Sequence, residues 1–344
     1  MIDLHTHLGG AVPASVLWEI LCDGGLQTEF HSFDQLQDFL TVGPGDIKTL
    51  DDFLNLYFHA TELIQSSPHA ATTAVYQAVA KAYRRAKITG MEVRYNPFKR
   101  LRMGFHSLDA IILATVQGLQ RASMHYQVRT GILFSLGKEL PHEENWKIIN
   151  AALRFQGHGV LHGAYGIVGI DMAGPESLRK DLDKEWLNEI AKMIAEARKA
   201  NFGITWHVGE TPFSGPDGLE NVLNIIQPDR IGHGIEIRKA QGKQRDRLCA
   251  ILRERQVCLE LCPSVNIVTR SLQSYSEMAD IIRLLDKEGI PFCINTDNPY
   301  LIHTNLKREY EIMDKELGSQ FQLAEKCNKF SEKATFLVPI RNHK

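Results

Sequence analysis

The feature that most constrains the fold is a regular alternation of short apolar runs with longer amphipathic stretches along all 344 residues. Eight of the runs are rich in β-branched residues and have the length of buried strands. Helical patterns lie between most of them, over residues 186–199, 244–255 and 275–288 for example. A strand–helix unit repeated eight times predicts an α/β protein with a (β/α)8 TIM barrel, formed as one domain over residues 1–344. The runs cover residues 2–7, 91–96, 128–136, 166–172, 203–210, 230–236, 257–264 and 291–297.

The connection between the first and second runs is about 80 residues long, far more than a crossover between parallel strands needs. We interpret it as a helical insertion that covers the mouth of the barrel and closes a substrate site. A decorative insertion without a role in function is the alternative. The predicted helices of the insertion cover residues 13–21, 33–40, 50–64 and 69–86.

The composition argues against several classes of partner and location. A formal net charge of -2 gives no electrostatic basis for binding nucleic acid or an anionic membrane. No apolar stretch approaches the length of about 18 residues that indicates a membrane span, and no secretory pattern opens the sequence. Cys258 and Cys262 are four positions apart, roughly 13 Å on a straight strand, which is too far for a disulfide. We therefore expect a cytoplasmic protein with reduced cysteines, and the sequence leaves its oligomeric state open.

Polar side chains with metal-binding or acid–base chemistry stand near the ends of six of the eight runs. The carboxyl ends of all strands of a parallel barrel lie at the same face, so we expect these residues to converge. We interpret Arg94 and Asp171 as structural partners of the strand ends. The full set is His5, His7, Arg94, Asn96, Asp171, His207, Glu210, His233, Asp297 and Asn298.

Two histidines at the end of the first run predict a metal site. His5 and His7 are two positions apart, so on a strand their side chains point to the same side. His207 and Asp297 can complete the set of ligands. Three imidazoles and one carboxylate suit zinc with room for a water molecule, whose pKa zinc lowers towards 7. A lone histidine is more often structural, but this constellation on one predicted face favours a zinc site.

Blocks along nearly the whole chain resemble the adenosine deaminase family of the amidohydrolase superfamily, in the family's order. The resemblance implies a (β/α)8 barrel whose zinc ligands match His5, His7, His207 and Asp297. Two-metal relatives in the superfamily have a bridging lysine at the end of strand four, which "GIVGIDMAG" lacks, so we expect one zinc ion per chain. The matching blocks are "DLHTHLGGAVP", "MEVRYNPF", "GIDMAGPE", "WHVGE", "DRIGHGIE", "LELCPSVNIVT", "INTDNP" and the tail "KFSEKATFL".

The resemblance also implies the roles of the catalytic residues. Glu210 matches the acid that protonates N1 of a purine ring, and His233 matches the base that orients and deprotonates the attacking water. Asp297 would hold that water as well as the zinc ion, and the backbone N–H of Gly174 matches a contact to the ring. Attack at C6 sends electrons to N1, so Glu210 must be protonated near pH 7, which burial favours.

Two positions depart from the family pattern and bear on the substrate. The family's nucleoside enzymes usually have an aspartate that holds the ribose 5′-hydroxyl where this chain has Gly9. Glycine leaves space and removes a negative charge, which would admit a bulkier or anionic 5′ group. Asn298 replaces an aspartate that contacts purine N7, and an amide can donate a hydrogen bond there at any pH.

The segment "TLDDFLNLYFHATEL" resembles the apolar lid of the family. Leu50, Phe53, Leu54 and Tyr57 stand at i, i+3, i+4 and i+7, so they share one face of an α-helix. We predict that this face lines the substrate site. Packing within the core is the alternative.

Together these features predict zinc-dependent hydrolytic deamination of a small purine molecule. The expected substrate is a 6-aminopurine compound, either adenosine, deoxyadenosine or a 5′- or N6-modified derivative. Deamination of adenine or another aminated heterocycle, hydrolysis of a cyclic amide, and a catalytically silent relative that binds a ligand are the alternatives. The Pro-Cys-x-x-Cys signature of the zinc deaminases that act on nucleic acids is absent.

Overall fold

Eight parallel strands form a barrel in chain order, which confirms the predicted (β/α)8 fold. The computed structural model describes residues 1–26, 28–43, 45–101, 107–161 and 163–337. Most of the strands end one to three residues before the predicted runs do, because the polar residues that follow belong to the rim. The barrel strands are β1 (Ile2–His7), β2 (Gly90–Tyr95), β3 (Arg129–Gly137), β5 (Ala164–Ala173), β6 (Gly203–Val208), β7 (Arg230–His233), β8 (Cys258–Leu261) and β9 (Phe292–Ile294), while β4 (Val160–Leu161) pairs antiparallel with β5 outside the ring.

The segment after β9 returns to β1 at the carboxyl end of the barrel. Thr6 forms a parallel bridge with Asp297. The Asp297 backbone N–H donates to the His5 carbonyl at 2.8 Å, and the His7 backbone N–H donates to the Asp297 carbonyl at 2.8 Å. This pairing brings Asp297 between His5 and His7, although almost the whole chain separates them in sequence.

Helices surround the barrel, and several begin at a polar side chain that accepts a hydrogen bond from a backbone N–H of the first turn. Ser67, Ser107, Asp183, Ser274 and Asn305 are such residues. The helices are α1 (Ala14–Gly24), α2 (Phe33–Phe39), α3 (Leu50–Phe53), α4 (His59–Ile64), α5 (Pro68–Ala86), α6 (Leu108–His125), α7 (His142–Arg154), α8 (Lys184–Lys199), α9 (Gly215–Ile225), α10 (Gly242–Glu254), α11 (Pro263–Val268), α12 (Tyr275–Glu288), α13 (Leu306–Leu317) and α14 (Leu323–Ala334).

The insertion between β1 and β2 contains the predicted helices, with one correction. The sequence predicts a single α-helix over residues 50–64, but a π-helical turn at Leu54–Phe58 separates α3 from α4. A π turn holds more residues than an α turn, so it rotates the residues that follow it to a different face. The face presented to the barrel is therefore not the one that 3.6-residue periodicity predicts.

None of the helices in the described part of the chain is long and apolar enough to span a lipid bilayer. All six cysteines are free, and only Cys22 is exposed. The thiol of Cys258 donates a hydrogen bond to that of Cys293, with the sulfur atoms 3.8 Å apart and no disulfide between them. The five buried cysteines therefore contribute to the structure by packing.

Candidate active site

Most of the predicted site residues lie around one cavity of ≈ 420 Å³ at the carboxyl end of the barrel. Its volume is within the range of small-molecule binding sites. His5 is fully buried at its base, while Gly9 and Tyr57 do not line it. The predicted residues that line the cavity are His7, Leu50, Phe53, Leu54, Gly174, His207, Glu210, His233, Asp297 and Asn298.

The four predicted zinc ligands form a compact ring. The His207 Nε2 atom lies 3.1 Å from the Nε2 atoms of both His5 and His7. The Asp297 Oδ1 atom lies 3.6 Å from His7 Nε2 and 3.9 Å from His5 Nε2. A tetrahedral zinc ion with bonds of about 2.0–2.2 Å holds its ligand atoms roughly 3.3–3.6 Å apart. The four separations, 3.1–3.9 Å, lie on both sides of this range, so small shifts of the side chains would let them hold a zinc ion.

The charge states of these groups also fit a cation. Burial lowers the pKa of His5 and of His7 well below the usual value, so both imidazoles are neutral and have a lone pair to offer. Burial raises the pKa of Asp297 to about 7, which makes its ionised form costly without a positive neighbour. A bound cation would stabilise that carboxylate, and no lysine or arginine is paired with it among the described residues.

Two further side chains, His233 and Cys262, lie close enough to be considered as ligands. His233 forms a possible metal-binding group with His5 and His207, and Cys262 forms another with His5 and Asp297. Burial raises the pKa of Cys262 well above its usual value, so its thiol stays protonated and is a poor ligand. His233 is therefore close enough to the cluster to ligate a metal ion, as well as to act as the predicted base.

Two buried carboxylates orient the ligand histidines from behind. His5 Nδ1 lies 2.7 Å from Glu260 Oε2, and His207 Nδ1 lies 2.9 Å from Asp171 Oδ1. Each contact holds the Nδ1 atom, so the Nε2 atom of the ring faces the cluster. Carboxylates that hold ligand histidines in this way are usual in metal sites. Asp171 thus has the structural role that we predicted. Glu260 was not predicted, although an acidic residue inside the apolar run "VCLELC" is an available signal.

Glu260 is also the centre of a buried charge network. It pairs with Arg94 at 2.8 Å and with Arg230 at 2.5 Å, and it accepts a hydrogen bond from Thr205. Burial alone would raise its pKa, but Arg94 and Arg230 outweigh that effect and lower the pKa to about 2. Glu260 is therefore ionised under all ordinary conditions and favours a proton on His5 Nδ1.

The predicted proton donor and base lie side by side next to the cluster. His233 Nε2 is 3.5 Å from Glu210 Oε2 and 3.7 Å from Asp297 Oδ2. Asn266, which the sequence analysis missed, donates through Nδ2 to Glu210 Oε1 at 3.3 Å and contacts His233 Nδ1 at 3.2 Å. The pKa of Glu210 is raised well above its usual value, mostly by burial and to a lesser extent by the neighbouring Glu176 and Asp297 carboxylates. The carboxyl of Glu210 is thus set to carry a proton.

The lid presents a different apolar face from the predicted one. Leu50, Phe53 and Leu54 line the cavity, but Tyr57 packs against Phe39 and Phe53, with ring centroids 5.3 Å and 6.2 Å away. The π turn places Phe58 at the cavity in its stead. The prediction for Tyr57 is corrected accordingly, because it assumed an unbroken α-helix.

The space that we predicted beside Gly9 is filled by Phe58. A Cβ atom on Gly9 would lie 2.6 Å from Cε2 of that ring. The same ring contacts the imidazole of His7, with centroids 5.7 Å apart. Gly9 therefore allows Phe58 to pack against His7 of the predicted ligand cluster, and the expected room for a larger 5′ group is not found there.

We expect Gly9→Ala to lower the free energy of unfolding by about 1–3 kcal/mol, because the added methyl group forces the Phe58 ring from its position. Denaturant unfolding of the two proteins measures the difference. The double variant Gly9→Ala/Phe58→Ala removes the clash, so it should be no less stable than Phe58→Ala alone. An equally large effect of Gly9→Ala with and without Phe58 would contradict the contact.

The two remaining predicted substrate contacts, Asn298 and Gly174, both line the cavity. Asn298 donates to Asp297 Oδ1 at 2.5 Å, and its own Oδ1 is buried without a hydrogen-bond partner among the described residues. Gly174 has a φ angle of +119°, and a Cβ atom there would lie 2.3 Å from a carboxylate oxygen of Glu139. Glu139 in turn pairs with Lys99 at 2.5 Å. Only glycine fits at 174, which keeps its backbone open to the cavity.

Comparisons with known proteins agree with this geometry over almost the entire chain. A sequence model of the family described as adenosine deaminase matches residues 1–342. An adenosine deaminase of Clostridium perfringens is 25% identical over 335 residues, which is 97% of this chain and 93% of the relative. Adenine deaminase from Arthrobacter aurescens has a similar structure, with a TM-score of 0.83 at 16% identity, covering 99% of this chain and 94% of that one. An amidohydrolase from Burkholderia ambifaria with bound zinc gives a TM-score of 0.81 at 20% identity, covering 98% and 86%.

Proposed function

This chain belongs to the adenosine deaminase family, whose members are hydrolases of C–N bonds, and we propose that it is a single-domain zinc enzyme that deaminates a 6-aminopurine compound. The observation that carries the proposal is the position of Glu210. Its carboxyl lies in the cavity beside a cluster of three imidazoles and a carboxylate, and burial raises its pKa well above the usual value. An acid at this place can deliver a proton to a ring nitrogen while water attacks the adjacent carbon.

His5, His7, His207 and Asp297 would hold the zinc ion. Zinc bound there would activate a water molecule by lowering its pKa. Glu260 and Asp171 keep the Nε2 atoms of His5 and His207 directed at the cluster through contacts of 2.7 and 2.9 Å. The proposal therefore assigns the metal to the ring of ligand atoms at the end of β1.

The remaining groups supply the proton transfers. His233 and Asp297 would orient the attacking water and remove its proton, and Asn266 holds His233 against Glu210. Addition of the water oxygen to C6 moves the electrons of the C6–N1 double bond onto N1, which takes the proton of Glu210. Protonation of the amino group then releases ammonia, and the C6 oxygen becomes the 6-oxo group of the product. The balance is one water consumed for one ammonia released.

The substrate would lie between the reactive groups and the apolar lid. Gly174 and Asn298 are placed to contact the two edges of a purine ring, and Leu50, Leu54 and Phe58 cover its face. We propose adenosine, deoxyadenosine or a 5′- or N6-modified derivative as the compound. The curated relative from C. perfringens is an adenosine deaminase at 25% identity, which supports the nucleoside class.

A substrate screen tests this proposal. The purified protein with zinc is incubated with adenine, adenosine, deoxyadenosine, 5′-deoxyadenosine, AMP and N6-methyladenosine, and the release of ammonia or methylamine is measured. We expect at least one nucleoside to give one amine molecule and one 6-oxopurine molecule for each water consumed. Release of ammonia from adenine alone would identify the free base, and not a nucleoside, as the substrate. Binding of these compounds without any product would identify a silent relative and contradict the proposal.

A further inference from the structure

Glu176 holds the backbone of the proposed proton donor from a neighbouring loop. Its buried carboxylate accepts hydrogen bonds from the backbone N–H of Glu210 at 3.1 Å and from that of Thr211 at 2.7 Å. The Thr211 hydroxyl donates to it at 2.7 Å as well. Glu176 follows β5, whereas Glu210 and Thr211 follow β6. One side chain thus fixes the position of the loop that carries the acid.

The loop of Glu176 also connects the acid to the substrate cavity and to the lid. Gly174 lines the cavity two residues earlier. One residue later, the Ser177 hydroxyl donates to Asp51 of α3 at 2.5 Å. The loop therefore contacts the cavity wall, the lid and the backbone of Glu210 within four residues. A group with this location is suited to place the acid relative to a bound ring.

The charge of Glu176 has no counter-ion at contact distance among the described residues. Its three hydrogen-bond partners, the backbone N–H groups of Glu210 and Thr211 and the Thr211 hydroxyl, are all neutral donors. A buried cation that interacts with it electrostatically, Lys138, is paired with Asp181 at 2.6 Å. Burying a carboxylate in this way costs solvation that a neutral side chain would not lose. Glu176 is therefore a buried acidic side chain whose described hydrogen bonds all go to the segment that carries Glu210.

The affected group is the Glu210 carboxyl. The charged and titratable groups that face it are Glu176 from the β5 loop, Asp297 after β9, Lys138 at the end of β3 and His233 of β7. Asn266 of α11 is the neutral neighbour. Two of these groups are carboxylates, and both oppose ionisation of Glu210. Without Glu176, Asp297 would be the only one of these carboxylates that opposes ionisation of Glu210. A bound metal ion would reduce that effect of Asp297.

We propose that Glu176 is a positioning residue for the reaction: it aims the Glu210 carboxyl at the substrate and keeps that carboxyl protonated until the proton is transferred. The inference rests on the proposed function, because it acts through Glu210. It predicts that the shape and the charge of Glu176 contribute separately. The two contributions can be distinguished by substitutions that change only one of them.

Glu176→Gln keeps the size of the side chain but removes its charge and turns an NH2 group towards one of the backbone donors. We expect kcat to fall by about 10- to 100-fold with KM changed less than about threefold, since the proton transfer and not binding is affected. The alkaline limb of the pH profile of kcat should move to lower pH. The sign follows because loss of a nearby negative charge lowers the pKa of Glu210, so it loses its proton earlier as pH rises.

Glu176→Asp keeps the charge and shortens the reach by one methylene group. We expect the kcat of this variant to be lower than that of the wild-type enzyme, and the alkaline limb to stay at the wild-type pH. Glu236→Gln is the matched control, because Glu236 is an equally buried carboxylate that pairs with Arg238 and Lys239 and is not among the main influences on the pKa of Glu210. That variant should leave the alkaline limb unchanged. Zinc content is measured for each protein to verify an intact site.

The results separate this inference from the proposed function. An active wild-type enzyme whose Glu176→Gln variant retains both kcat and the alkaline limb overturns the inference alone. Equal losses in Glu176→Gln and Glu176→Asp with an unmoved limb also overturn it, since they indicate a purely structural carboxylate. A wild-type protein that releases no ammonia from any compound of the screen overturns the inference together with the proposed function.

Discussion

Glu210→Gln is expected to lower kcat by about a thousandfold while one zinc ion stays bound, because glutamine preserves the shape of the donor but has no transferable proton. Glu210 is 4% exposed and its pKa is raised well above the usual value by burial and by the nearby Glu176 and Asp297 carboxylates. It is not one of the four ligand residues, so the metal site should persist. Single-turnover kinetics and metal analysis of the same preparation measure both quantities.

A second carboxylate in the same cavity provides the control. Glu139 lines the cavity and pairs with Lys99, but it lies on the Gly174 side and not next to the cluster. Glu139→Gln should therefore change kcat by less than about tenfold. Near-normal turnover in Glu210→Gln, or a larger loss in Glu139→Gln than in Glu210→Gln, would show that the proton donor has been assigned to the wrong residue.

Glu260→Gln is expected to weaken zinc binding by about 10- to 100-fold, because it removes the ionised partner that orients His5. The same change leaves Arg94 and Arg230 without one of their buried carboxylates. Breaking a buried pair by removing one partner costs about 3–5 kcal/mol, so the free energy of unfolding should fall as well. Zinc affinity from competition with a chromophoric chelator and denaturant unfolding of the metal-free protein measure the two effects.

Glu92→Gln separates the loss of stability from the loss of metal affinity. Glu92 pairs with Arg230 at 2.5 Å and is as buried as Glu260, but it contacts no predicted ligand. We expect a comparable loss of stability and an unchanged zinc affinity of the folded protein. Equal zinc affinities of the Glu260→Gln variant and the wild type would contradict the role of Glu260 behind His5.

The barrel could be predicted from the sequence because each strand is buried on both sides and each helix has one apolar face. These patterns can be read from the sequence, and so can the polar residues near the ends of six of the eight predicted strands. His5, His7, His207 and Asp297 are accordingly brought together where the pattern predicts. Their roles as ligands remain proposals that need a metal measurement.

The parts that could not be predicted depend on geometry that periodicity does not contain. The π turn at residues 54–58 places Phe58, and not Tyr57, at the cavity. The Phe58 ring also fills the space beside Gly9. Asn266 and Glu176 lie in loops or short helices after the strands, where a single sequence offers no repeating pattern. The structure shows them next to the predicted acid and base only through their hydrogen bonds, from Glu176 to the Glu210 backbone and from Asn266 to Glu210 and His233.

The most direct test of the account is a titration of the metal-free protein with zinc, followed by the release of ammonia from the best nucleoside of the screen. The predicted result is a rate that rises in proportion to added zinc and stops rising at one ion per chain, with no such rise in a His207→Ala variant. A metal-free protein that releases ammonia at the full rate, or a variant without His207 that responds to zinc like the wild type, would contradict it.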